Sequence, residues 1–252
     1  MSGNFSERVM GGVMAVTEAL AARGRVSRVF VAKGKREQAV EGILDSAKAQ
    51  GVPFEFVPPA KLNSLTGSES HQGIAAKVSP VVYHPFNEWL ERDFQGAGCA
   101  VVLDQVQHPK NLGMIIRSAA GAGCAGVVLP ARGGALVDDA VVRASAGTAF
   151  HIPLVRCGNV AQAIRALRAS ECWVYGLAGG AGHDVFTMDW PPRCALVLGN
   201  ETHGLRHAVA KACDGTLRIP LAPGVESLNV AVAAGIALFQ YGHAHAPHFK
   251  RQ

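Results

Sequence analysis

Three short stretches of this 252-residue chain combine glycine, asparagine and charged residues at spacings that could bind a ligand or move a proton. The first runs Asp104-Gln-Val-Gln-His-Pro-Lys-Asn111-Leu-Gly113-Met-Ile-Ile-Arg117. Gly113 and Arg117 are four apart, hence neighbours on one helix face. Glycine costs about 1 kcal/mol inside a helix, which makes sense where something lies against the backbone. Asn111 is a candidate helix cap. Arg117, among Leu112, Ile115, Ile116 and Ala119, is expected to be partly buried and aimed at the strand ends. By itself this segment favours the plainer reading, a surface arginine on an amphipathic helix.

The second stretch is Leu198-Gly199-Asn200-Glu201-Thr-His203-Gly204-Leu205. An apolar run enters a glycine-bearing turn, which can offer backbone groups to a ligand that approaches closely. Glu201 and His203 have no third candidate ligand nearby, so no metal is expected. The third stretch is Ile219-Pro-Leu221-Ala-Pro-Gly-Val-Glu-Ser227-Leu228-Asn229. Ser227 is a candidate cap for a final helix kept thin by Ala231, Ala233, Ala234, Gly235 and Ala237. Ser227 and Asn229, taken alone, are ordinary capping residues.

These stretches need strands that end beside one another. Apolar runs at 100–103, 126–129, 172–177, 195–198 and 217–221 alternate with helix-like stretches at 112–122, 138–146, 160–169, 205–212 and 228–242. Strands apolar on both faces and separated by helices predict a mostly parallel sheet covered on both sides. Ligands of such sheets gather at the carboxyl ends of the strands. Residues 12–78 read as a smaller α/β unit. It has a helix from 12 to 22, strands at 26–32, 54–57 and 74–78, an amphipathic stretch at 36–50 and a polar loop at 63–72. Lys33, Lys35 and Arg36 follow its first strand and suit a solvated turn. Residues 79–97, with Pro80, Pro85 and a short helix at 87–92, read as a linker. The predicted division is 1–78, 79–97 and 98–252.

Gly121-Ala-Gly123-Cys-Ala-Gly126 matches G-x-G-x-x-G, but here the helix precedes and the strand follows. A dinucleotide fingerprint needs the reverse, so these glycines read as a helix stop and a turn. The six cysteines show no C-x-x-C pair, which gives no support to metal ligation or a disulfide framework. The net charge of +5 suits a polyanionic partner without proving one. No apolar run reaches the roughly 18–20 residues of a membrane span, and no signal-peptide core is evident. The expectation is a cytoplasmic protein.

Taken in order, N-x-G-x-x-x-R (Asn111, Gly113, Arg117), L-G-N-E-x-x-G-L (198–205) and I-P-L…E-S-L-N-V (219–230) resemble the three motifs of the SpoU/TrmH family. Those are S-adenosylmethionine-dependent RNA ribose 2′-O-methyltransferases of the SPOUT superfamily, with a trefoil-knotted α/β fold. Residues 12–78, with His71-Gln72-Gly73, resemble the ribosomal-protein-like RNA-binding domain that some members carry. That arrangement is most similar to the subgroup that methylates a guanosine of 23S ribosomal RNA. The resemblance implies S-adenosylmethionine held at Leu198, Gly199, Asn200, Ile219, Leu221 and Leu228. It implies Arg117 as the group that activates the 2′-hydroxyl, with Asn111, Glu201, Ser227 and Asn229 supporting it and the target ribose. It also implies a homodimer in which both subunits complete each site. Ala231 stands where many members have serine, and Phe150 where the guanosine subgroup would carry an acidic residue. The rival readings are a tRNA ribose methyltransferase, an antibiotic-resistance ribosomal methyltransferase and a catalytically silent RNA-binding protein of the same fold.

Overall fold

Apolar runs separated by helices become the inner strands of two sheets. The computed structural model describes residues 8–21, 26–34, 38–78, 81–180 and 182–245; Lys35 and Arg36 lie outside the described residues. The first sheet belongs to β1 (Arg8–Gly11), α1 (Val13–Ala21), β2 (Val26–Ala32), α2 (Gln38–Ala49), β3 (Phe54–Val57), α3 (Pro59–Thr66) and β4 (Ile74–Val78). Its strand order is β1-β4-β2-β3. β4 runs antiparallel to β1 and β2, and β2 pairs in parallel with β3. Val16, Leu20, Val29, Val31, Ile43 and Leu44 close one core under α1 and α2. β1 was not legible, because four residues are too few for an alternation to show. α3 occupies part of the expected polar loop. Pro59 starts it and the fully buried Leu62 anchors it, so one apolar contact outweighs a polar composition.

The second sheet is assembled from β5 (Tyr83–Pro85), α4 (Phe86–Arg92), β6 (Gly98–Leu103), α5 (Pro109–Gly121), β7 (Gly126–Pro130), α6 (Asp139–Ala144), a 3₁₀ turn (Thr148–Phe150), β8 (Leu154–Cys157), α7 (Val160–Ala169), β9 (Trp173–Leu177), β10 (His183–Asp184), β11 (Arg193–Leu198), α8 (His207–Ala210), β12 (Gly215–Arg218) and α9 (Val230–His245). The order is β10-β12-β9-β11-β6-β7-β8-β5, with every pairing parallel. Cys194 to Leu198 of central β11 are all buried, as a sheet covered on both faces requires. Val101 and Leu103 of β6 face the α5 and α9 side, whereas Ala100 and Val102 face α4 and α7.

Residues 83–92, read as linker from sequence, instead add β5 to the sheet edge and α4 to the core. Trp89 is fully buried and stacks on Phe94 with ring centroids 5.0 Å apart. An aromatic cluster of this size contributes more as core than a free linker could tolerate exposed. β12 stops at Arg218, short of the expected 221, because Pro220 has no N–H for the ladder. Gly121 closes α5 and Gly126 opens β7, so the G-x-G-x-x-G match is a helix-to-strand turn. Among the described residues no helix is long and apolar enough to cross a membrane.

Candidate active site

β9, β11 and β12 end side by side, and the loops that leave them enclose a cavity of about 230 Å³. Leu198, Gly199, Asn200, Ile219, Leu221 and Leu228 all line it, together with Glu201 and Ser227. Leu177 at the end of β9, with Ala178 and Gly179 after it, forms a wall that sequence reading missed. The signal was available: an apolar strand runs into a Gly-Gly turn at 179–180, as β11 runs into Gly199.

The turn after β11 is built against its own chain. A Cβ on Gly199 would lie 2.2 Å from the carbonyl carbon of Gly204 and 2.4 Å from the Leu205 nitrogen. The chain's own backbone at Gly204 and Leu205 therefore already requires a glycine here. Asn200 and Gly204 exchange two backbone hydrogen bonds of 2.9 Å. Beyond the turn, the Arg206 N–H donates to the fully buried Asp104 carboxylate (3.0 Å), and its guanidinium approaches the same group at 2.6 Å. Asn200 Nδ2 donates to the Gln105 carbonyl at 3.0 Å. The ends of β6 and β11 are thereby stitched together.

Glu201 completes the seam. Its carboxylate accepts from the backbone N–H groups of Gln107 and His108 (3.2 and 3.0 Å) and from Asn111 Nδ2 (3.1 Å). Burial pushes this carboxyl up, but the His108 N–H, the Asn111 amide and the Gln107 N–H outweigh it and hold the group below its usual value. Asn111 Oδ1 accepts in turn from Asn229 Nδ2 at 3.1 Å. Asn111 is thus not the cap of α5, which starts at Pro109. Glu201, from a distant loop, satisfies the N–H groups leading into that helix. Asn229, not Ser227, caps α9 by accepting from the Ala231 N–H at 2.9 Å.

A sheet-end cavity tied by Asn111, Glu201 and Asn229 agrees with the comparisons to known proteins. The SpoU rRNA methylase family model matches residues 98–239, and the model for RNA 2′-O ribose methyltransferase substrate binding matches residues 11–84. The chain belongs to the SpoU rRNA methylase family. Among its relatives, the 23S rRNA (guanosine-2′-O-)-methyltransferase RlmB of Xanthomonas axonopodis is 38% identical over 222 residues, covering 85% of this chain and 87% of that protein. The crystal structure of an AdoMet-bound rRNA methyltransferase from Sinorhizobium meliloti superposes with a TM-score of 0.61 at 28% identity, covering 95% of this chain and 88% of that one. A structure solved for the 2-OH methylation of C/U34 on tRNA gives 0.52 at 26% identity, covering 59% of this chain and 96% of that one.

For this SpoU family member the motifs are only partly brought together. Arg117 is exposed on α5, does not line the cavity and has no hydrogen-bond or ion-pair partner among the described residues. The expectation of a partly buried arginine aimed at the strand ends is not met within one chain. Gly113 is explained instead by α6, since a Cβ there would lie 2.5 Å from that of Ala144 and 2.8 Å from the Val141 carbonyl oxygen. Phe150 is 42% exposed beside β5, in a cavity that shares no residue with the first. Ala231 is buried at the start of α9. No group of three His, Cys, Asp or Glu among the described residues could hold a metal.

Proposed function

We propose that this SpoU family member transfers a methyl group from S-adenosylmethionine to a ribose 2′-hydroxyl of RNA, with a guanosine of 23S ribosomal RNA as its target. The observation that carries this reading is the single cavity that gathers Leu198, Gly199, Asn200, Ile219, Leu221 and Leu228 beside the Glu201–Asn111–Asn229 chain. The donor set suits the cofactor. Leucine and isoleucine side chains offer apolar faces for a nucleoside, and Glu201 and Glu226 line the cavity of a ligand that carries sulfonium and ammonium cations. When bound, S-adenosylmethionine supplies an electrophilic methyl. The chain's own contribution is position and charge: Asn111, Glu201 and Asn229 hold the 107–111 segment against the cavity, and Ser227 presents a hydroxyl to it. A guanidinium is a planar, many-donor cation, so the role proposed for Arg117 is to stabilise the developing 2′-oxyanion or clamp the adjoining phosphate.

The proposed molecule is a cytoplasmic homodimer with a trefoil-knotted second domain. True knots are rare, and this one is inferred from family membership. Met114, Val232 and Phe239 leave α5 and α9 with half-exposed apolar side chains, which a second copy would cover. The same packing would carry Arg117 to the partner's cavity and account for its distance from its own. The division is an RNA-binding unit over 1–78 and a methyltransferase domain over 98–252. Residues 79–97 connect them while lending β5 and α4 to the second core. Ribosomal RNA is favoured over tRNA because the tRNA-modifying neighbour has no counterpart for two-fifths of this chain, whereas the rRNA-modifying one spans nearly all of it.

The test is methylation of total RNA followed by alkaline hydrolysis. A 2′-O-methyl blocks cleavage at the next phosphodiester, so the transferred label is expected in alkali-resistant dinucleotides whose 5′ residue is guanosine. Label released as mononucleotides would place the methyl on a base and overturn the reading.

A further inference from the structure

The two sheets touch at the end of the methyltransferase sheet that carries the cavity. Just beyond β7, Arg132 Nη2 donates to the Phe54 carbonyl of β3 at 3.3 Å, and its guanidinium lies 5.5 Å from the Phe54 ring centroid. At the end of β8, the buried Arg156 donates to the Val26 carbonyl of β2 at 2.8 Å and covers the Tyr83 ring at 3.8 Å. β7 and β8 are separated from the cavity strands by β6 alone. The loop that carries Arg132 also reaches the catalytic side. The Ala135 N–H donates to the Val106 carbonyl at 2.9 Å, and the Gln105 side chain packs on Gly133. Gln105 itself holds a left-handed backbone, φ 65°, and its carbonyl accepts from Asn200. A non-glycine residue in that region persists only where its neighbours hold it.

We infer that Arg132 is a positioning residue that couples the seating of the RNA-binding unit to the 104–108 loop of the active site. The contacts run from Phe54 through Arg132, Gly133 and Ala135 to Gln105 and Val106, and from there to Asn200 at the cavity. Arg156 supplies the buried anchor of the joint, and Arg132, being exposed, is the member that can be altered without disturbing a core. This inference rests on the proposed methyl transfer to RNA.

Arg132→Ala in the full chain tests it. The kcat for RNA methylation should fall about tenfold, a barrier change of about 1.4 kcal/mol, while Kd for RNA and for S-adenosylmethionine each change by less than about twofold. Without RNA or cofactor, hydrogen exchange at the Ala135 amide should speed up about tenfold, since its bond opens locally more often. Arg132→Lys keeps a donor but not a plane over the ring, and should recover less than about half of the lost kcat. Unchanged kcat and exchange would overturn the inference. So would a loss confined to RNA affinity, or full rescue by lysine, either of which would make Arg132 a phosphate contact. A wild-type protein that methylates no RNA ribose would overturn the proposed function instead, and the exchange measurement would still report on the coupling.

Discussion

The two loops that face each other across the cavity are built on opposite plans. The turn at 199–206 has backbone packed on backbone at Gly199, a pair of main-chain bonds, a buried carboxylate at Asp104 and four donors on Glu201. The loop at 219–229 has no regular structure, leaves Val225 half exposed, and is tied through side chains only at its end, where Asn229 meets Asn111. The difference teaches which wall is made in advance. A preorganised wall can hold a reacting group in place without reorganising, while a wall fastened by side chains at one end can adjust around a ligand.

The hardest test of the rigid wall is Gly199→Val. Because the space belongs to Gly204 and Leu205, the expected result is a loss of about 4 kcal/mol or more, at the severe end for point mutations. Thermal unfolding without ligand would reveal it. Loss of cofactor affinity with unchanged Tm would show that the ligand, not the chain, fills that space.

Arg206→Ala comes next. It leaves the Asp104 carboxylate buried without its cation, which costs about 3 kcal/mol. Urea unfolding should show this, and a change under about 1 kcal/mol would mean the seam relaxes more easily than its geometry implies.

Glu201→Ala should cost about 2 kcal/mol, because charge-assisted bonds to four donors are lost. The native enzyme carries a pH signature of the same contact. The folded carboxyl sits below its usual value, so its stabilising contribution is complete above the unfolded value and disappears as pH falls through the folded one. The difference in stability between native and Glu201→Ala proteins should therefore shrink on acidification. A constant difference across that range would remove the charge from the argument.

On the loosely fastened wall, Asn229→Ala should cost only about 1 kcal/mol, the usual value of a lost cap. Its larger effect should appear in the methyl-transfer rate, through Asn111. If it destabilises as much as Arg206→Ala, the contrast between the two walls fails.

Much of this was legible in the residues. The family resemblance groups Leu198, Gly199, Asn200, Ile219, Leu221 and Leu228 as one binding surface, and the fold gathers all six around one cavity. Apolar runs that ignore alternation specify a doubly covered parallel sheet whatever their order in it, so the layer plan was readable from local pattern. β1, β8 and β10 were not, because two to four residues carry too little periodicity. Tyr83 to Leu90 was taken for a linker because its aromatics sit among prolines and charges, and only the sheet edge at β8 and the pocket around Trp89 make it core.

What the sequence by itself determined is the chemistry available: which side chains stand after which strands, and that glycine is needed at 113 and 199. What only the tertiary structure decided is the partner of each. Gly113 serves the approach of α6, and Gly199 serves the approach of Gly204. Glu201 satisfies the start of a helix more than ninety residues earlier in the chain, and Arg132 reaches a carbonyl of the other sheet. Residue type and spacing act within a few positions along the chain, whereas a close approach or a hydrogen bond depends on which distant backbone the packed cores bring within about 3 Å.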